Sequence, residues 1–314
     1  MTRRGTLLFI ALGLAWGIPY LLIKVAVVEL SPVVLVFART SLAALLLVPI
    51  AFAKGAVRPV LPHWRMLIVY SVVEIVVPWL FLTRAEERLS SSLAGLLIAA
   101  VPLASVGVGY ASGRREHLGR IGVLGLLVGF AGVAFLVGVD VHGSALSSVG
   151  EMVFVVLGYA TGATLLGRSL GQAPGLGVVA ASFVISSVIY APFAIPQLPH
   201  HLPQAKVIWS VALLVVICTM VAFLLLFALV SEVGSVRATT ITYVNPAVAV
   251  VAGALILHEQ VTVWTVVGFA LVLGGCLLLS RSRRTPQAET AQWTGESDVH
   301  GGPNPSEIDL AAAG

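Results

Sequence analysis

This chain of 314 residues is short of charge. Only 10% of it is Asp, Glu, Lys or Arg, against about 25% in soluble domains. A soluble globular domain and a disordered chain are both excluded on that ground. Cysteine is scarce as well. Cys218 and Cys276 each lie inside an apolar run and form no CxxC pair, so they read as small packing residues, with no disulfide framework. The chain holds no GxxxxGK[ST] phosphate loop and no GxSxG elbow, and its HEQVT is not HExxH. It therefore does not hydrolyse ATP in the usual way, and neither a zincin nor a serine-hydrolase site is present. His63, His117, His142, His200, His201, His258 and His300 fall in loops, span edges or the tail. No metal centre and no cofactor are expected. The net charge of +4 is spread between apolar segments, which speaks against a nucleic-acid face.

What fills the chain is apolar sequence, 58% of all residues. It is cut into pieces of the size that crosses a bilayer as helix, roughly 20 residues. The expected spans are 5–28, 32–53, 65–83, 91–112, 119–139, 148–168, 175–196, 207–230, 236–257 and 262–280. Alternate loops differ sharply in positive charge. One side collects Arg3, Arg4, Lys54, Arg58, Arg65, Arg114, Arg115, Arg120, Arg168, Arg237, Arg281, Arg283 and Arg284. The other collects Arg84, Arg88 and Lys206. The positive-inside rule then puts both termini in the cytoplasm of a multi-pass protein of the cytoplasmic membrane. The N-terminal run continues past Trp16 without a small-residue cleavage site, so it reads as a first span rather than a leader. Residues 1–4 are a cytoplasmic N-terminus. Residues 281–314 are expected to form a disordered cytoplasmic tail, acidic through Glu289, Glu296, Asp298, Glu307 and Asp309.

The two halves repeat each other. At an offset of 144 residues Ser91 matches Ser235, Pro102 matches Pro246 and Gly109 matches Gly253. At 143 Glu116 matches Glu259, Gly125 matches Gly268 and Gly132 matches Gly275, and Trp16 aligns with Tyr159. Residues 5–139 and 148–280 would be the two units, each with five spans. Five is odd, so the second unit enters from the opposite face, and the repeat is inverted. The fold class expected is thus all-α integral membrane, ten transmembrane helices as two inverted five-helix repeats. Inverted repeats suit alternating access around a central site.

Several stretches then carry a resemblance. They are AWGIPYLLIK in the first span, Pro32 and Arg39 in the second, SSSLAGLLIAAVP running on to Glu116, VGSVRATTITYVNP, LHEQVT and GFALVLGG. In their order and spacing the chain resembles the drug/metabolite transporters with two EamA domains, over residues 5–280. The resemblance implies ten helices, cytoplasmic ends, a central cavity lined by both halves and export of small metabolites. The sixth span departs from the pattern, with Tyr159 at its aromatic position.

Charge inside a bilayer is costly and marks function by default. Three charges lie away from span ends: Lys24, Arg39 and Glu74. Glu74 sits near the midplane, with Tyr70 one turn earlier on the same face. It reads either as a cavity site for a substrate cation or a proton, or as the partner of Lys24 or Arg39. Arg39 can grip a carboxylate bidentately, or lock to Glu74. Lys24 either snorkels to the surface or extends a cavity stripe with Trp16 and Tyr20. Pro102 and Pro246 bend equivalent spans. Tyr243 and Asn245, with Tyr159, are read as cavity groups, the alternative being hydrogen bonds between helices. Trp79 suits the cavity or an aromatic belt. Glu116 and Glu259 are expected to cap the fifth and tenth spans. The small residues of VGFAGVAF and VGFALVLGG read as packing or dimer surfaces.

These features favour a secondary exporter of small metabolites such as amino acids, related compounds or drugs. A proton or a counter-substrate would couple it, and the lipid bilayer and a second copy are its other expected partners. The competing readings are a membrane enzyme acting on a lipid-linked substrate, for which only the RAEER turn is polar enough, and a non-transporting sensor.

Overall fold

The computed structural model describes residues 2–113, 119–140, 145–233 and 239–282. Glu116 and the acidic tail lie outside them. Among the described residues nine helices are long and apolar enough to cross a membrane. These are α1 Arg3–Ala26, α2 Pro32–Ala53, α3 Arg58–Ala85, α4 Ser91–Ala111, α5 Arg120–Gly138, α6 Leu146–Leu170, α7 Gly175–Gln197, α8 Ala205–Val233 and, last in the chain, α10 Val263–Ser280. Between the last two lies a shorter apolar helix, α9 Ile241–Ile256. The helices start where the sequence provides for it. Thr2, Ser90 and Thr262 accept hydrogen bonds from the backbone N–H three residues on, at 3.0, 3.1 and 3.1 Å. Pro32 opens α2, where its missing N–H costs nothing.

Contacts sort the helix ends into two groups. At the basic end Thr2 donates to Glu232 at 2.6 Å and Arg168 to Ser112 O at 3.1 Å. At the opposite end Ser31 donates to Gln197 at 3.0 Å, the Gln204 amide to Glu29 at 2.9 Å, and Arg84 pairs with Glu151 at 3.1 Å. Successive helices thus run up and down.

The principal pairings are α1 with α8 and α9, α3 with α6, α2 with α7, α4 with α6 and α9, and α5 with α10. Moving every helix on by five returns the same set. Two π-helical turns share the offset, Val72–Val76 in α3 and Val216–Val221 in α8, and a third, Leu166–Leu170, ends α6 without a counterpart in α1. Helix α4 breaks after Ile98, just before Pro102, and α9 turns at Val244, just before Pro246. At the α4 break the Leu103 amide bonds Ala100 O at 3.0 Å instead of the carbonyl four back, and the thiol of Cys276 takes Ala99 O at 3.4 Å.

Gly125, Gly129 and Gly132 of α5 and Gly268 and Gly275 of α10 are consumed within the chain. A Cβ on Gly132 would lie 2.7 Å from Val272 N, one on Gly125 2.7 Å from Gly275 O, and one on Gly275 would overlap Gly129 N. The helices meet backbone to backbone, which only small residues allow. We expect Gly275→Val to lower stability by about 1–3 kcal/mol or more through overpacking, and Gly274→Val, whose Cβ meets open space, to leave it unchanged. The thermal midpoint of each variant in detergent, read from loss of the monodisperse peak, checks both.

Candidate functional site

Six helices converge on Arg39. Its guanidinium is nearly buried, 8% exposed, and stacks 3.7 Å above the indole of Trp79 from α3. Its Nε donates to Thr219 Oγ1 of α8 at 3.0 Å. Thr219 sits in the π turn of α8, and its own hydroxyl donates to Leu214 O, five residues back, at 2.8 Å. One hydroxyl thus satisfies a carbonyl of the irregular turn and fixes the arginine. Trp79 packs on Phe183 of α7 at 5.6 Å, Phe183 on Phe223 of α8 at 5.8 Å, and Phe223 on Trp16 of α1 at 5.9 Å between ring centroids. Tyr159 of α6 puts its phenol against the indole of Trp79. Among the described residues no carboxylate pairs with Arg39; the ion pairs formed are Arg4 with Glu232, 3.8 Å, and Arg84 with Glu151.

Glu74 occupies the π turn of α3. Its Oε2 is enclosed and has no hydrogen-bond partner. The carboxyl leans over Gly162 of α6, where a Cβ would overlap it, and Gly158 one turn earlier admits Val73 O and Pro78. The GYATG stretch of α6 is therefore the floor on which this turn rests. Tyr190 of α7 donates its hydroxyl to Val76 O, the last carbonyl of the turn. Tyr70 and Tyr159 lie within electrostatic reach of Glu74, and Tyr159 within reach of Arg39 too. Glu74 is paired with neither Arg39 nor Lys24.

The structure therefore brings together Glu74, Tyr70, Tyr159, Arg39 and Trp16. Trp79, which the sequence left between cavity and belt, joins them, and the structure adds Thr219, Phe183 and Phe223. Trp79 and Phe223 are 144 residues apart, so the repeat offset was a signal for that pair; nothing in the local sequence marks Thr219. Three other candidates lie elsewhere. Lys24 reaches sideways, its ammonium donating to Glu86 O at 2.6 Å and Leu89 O at 2.7 Å, so it caps the end of α3. Tyr243 shares a hydrogen bond with Ser280 of α10 at 3.0 Å. Asn245 starts the second segment of α9 with its Oδ1 enclosed and unpartnered, and its carbonyl abuts Gly17 of α1.

Glu259 corrects an expectation. It does not cap α10, whose first turn is served by Thr262. It caps α4 instead, accepting from Ser91 N at 2.8 Å, Ser92 N at 3.0 Å and Ser92 Oγ. Burial pushes its carboxyl up, and the donors of Ser92 and Ser91 more than offset this, leaving it below the usual range. The chain turns back toward α4 because His258 is left-handed, φ 55°.

A cleft of about 810 Å³ lies on the flank between α4, α5 and α6, lined by Leu103, Phe130, Val133 and Met152 among others. No charged side chain lines it, so it lacks the groups to orient a polar ligand.

The chain matches the family model described as the EamA-like transporter family twice, over residues 3–138 and 148–281. It is 25% identical over 287 residues to the "Uncharacterized transporter YvbV" of Bacillus subtilis, covering 89% of this chain and 93% of that one. It is 26% identical over 273 residues to an "Uncharacterized transporter" of Archaeoglobus fulgidus, covering 85% and 95%. A crystal structure superposes with a TM-score of 0.64 at 19% identity, over 89% of this chain and 97% of the other, a likeness of fold.

The Arg39 cluster makes its own prediction. Lysine has neither a flat face for Trp79 nor an Nε for Thr219. Arg39→Lys should cost about 1–3 kcal/mol of stability, and Thr219→Val less. Their effects on the thermal midpoint should be non-additive in a double-mutant cycle; simple additivity would mean the contact is idle.

Proposed function

The chain belongs to the EamA-like transporter family, and from that premise we propose that it is a secondary transporter exporting small zwitterionic metabolites, amino acids or related compounds, across the cytoplasmic membrane. The observation that carries this is a buried guanidinium and a buried carboxyl that do not pair with each other. Among the described residues Arg39 keeps its terminal amino groups free of any carboxylate, Glu74 keeps an oxygen free of any donor, and Tyr159 stands within reach of both. A buried charge without a partner is costly. A ligand with a carboxylate for Arg39 and an ammonium group for Glu74 would relieve both costs. The rings of Trp16, Trp79, Phe183 and Phe223 offer an apolar wall for its side chain.

Transport would proceed by alternating access. The pairing of helices maps onto itself when each is moved on by five, so two similar halves can exchange roles about an axis in the membrane plane. The basic end, with the two termini, faces the cytoplasm. Either a proton or a counter-substrate on Glu74 would return the empty carrier.

An untargeted metabolite comparison tests the reading. Growth medium of cells making the intact protein is compared with that of cells making Arg39→Gln or Glu74→Gln at equal membrane abundance. A zwitterionic metabolite should be enriched with the intact protein, and each variant should reduce its export by roughly 10- to 100-fold, the worth of one charge-assisted contact. Undiminished export by both variants would overturn the assignment of the site.

A further inference from the structure

Glu86 stands apart from the site just described. It lies at the outer end of α3, it is 0% exposed, and both its carboxyl oxygens are enclosed without a hydrogen-bond partner. Three tethers close over it. The Lys24 ammonium holds the carbonyls of Glu86 and Leu89. Glu259, from the second half of the chain, holds the first amides of α4, from the first half. The left-handed His258 and the bond from Glu259 N to Gly253 O at 3.1 Å fold the α9–α10 turn down onto α4. Gly253 leaves the room, since a Cβ there would overlap the Glu259 carboxylate.

The groups around Glu86 do not neutralise it. Lys24 and Tyr20 come from α1, Arg39 from α2 and Glu259 from the α9–α10 turn, all within electrostatic reach. None forms an ion pair with it. Glu87 and Arg88 of its own turn are exposed, and Arg88 donates to Ser147 at 3.2 Å. On α6 Glu151 is held by Arg84. A charged carboxylate sealed here with no donor would be strongly disfavoured. The cost disappears in two ways: the carboxyl takes a proton, or the outer end opens and water reaches it.

We propose that Glu86 is a proton-binding site of an outer gate, and that the outer end closes only with a proton on Glu86. Closing the gate then takes up one proton from outside, and opening releases it to the same side. Burial holds this carboxyl well above the usual carboxylate range, Lys24 pulls it down and Glu259 pushes it up. The sign follows. Low external pH favours the closed outer end, and the closed form is lost as pH rises through the raised value. Glu259, held below the usual range, stays charged and latched throughout. The gate is thus operated by Glu86 and tied by Glu259.

The inference rests on the rocking of two halves proposed above, and one experiment separates the two. Spin labels are placed at Glu87 and Gln260 on either side of the outer tethers, and in a second sample at Lys54 and Gln172 at the basic end; all four positions are exposed. The intact chain in nanodiscs is scanned from about pH 5 to about pH 10, the range open to a buried carboxyl. The outer pair should separate and the inner pair approach as pH rises. Glu86→Gln, always neutral, should stay closed outside at every pH. Glu259→Ala removes a like charge and a tether, and should move the transition down by roughly one pH unit. If Glu86→Gln does not fold, Glu259→Ala carries the test. A wild-type outer pair that ignores pH while Glu259→Ala opens it and draws the inner pair together would overturn the proton site and leave the rocking intact. If no condition moves the two pairs reciprocally, the rocking fails and this inference with it.

Discussion

Inside a bilayer a backbone carbonyl without an N–H has no water to turn to. The rest of this structure depends on that constraint. Regular helix satisfies it without help, and wherever α3, α4 and α8 depart from regular helix a side chain from a neighbour or from the turn itself makes up the loss. Tyr190 serves the π turn of α3, Thr219 that of α8, Cys276 the break in α4 and Lys24 the end of α3. The irregular turns are held open by these bonds, so their side chains are presented at fixed places.

Those turns also carry polar groups of the proposed site. Glu74 and Thr219 occupy the π turns of α3 and α8, which lie at equivalent places in the two halves. A π turn rotates the residues after it relative to a regular helix and so re-aims side chains inward. The halves share this geometry but not the charge. Glu74 belongs to the first half, and position 218, 144 residues on, is a cysteine. Arg39 of the first half likewise reaches into the second to find Thr219. One asymmetric site is thus built on a nearly symmetric frame, which suits a carrier that must bind one orientation of an unsymmetrical ligand.

The same asymmetry orders the end opposite the basic one. Two carboxylates lie close there and are treated in opposite ways. Glu259 is surrounded by the donors of a helix start and is stabilised as an anion. Glu86 is fully buried, and neither of its carboxyl oxygens receives a hydrogen bond. Their difference comes from a single fact of packing, namely which of them the amides of α4 face.

The sequence by itself determined the membrane, the ten helices, their alternation and the offset of the halves. Each of these follows from local composition: apolar length, the side on which Arg and Lys collect, and the spacing of Pro, Gly and Glu. It also marked Arg39, Glu74 and Tyr159, because charge and phenol stand out against an apolar background. Only the tertiary structure decided what these groups touch. Arg39 faces Trp79 and Thr219 rather than Glu74. Lys24 turns to the carbonyls of α3, Tyr243 to Ser280, and Glu259 to a helix 168 residues away in sequence. The reason is physical. Burial is written in composition, but a partner is chosen by the rotation of one helix against another. That rotation is set by close approaches such as Gly162 under Glu74 and Gly253 under Glu259, which no local pattern encodes.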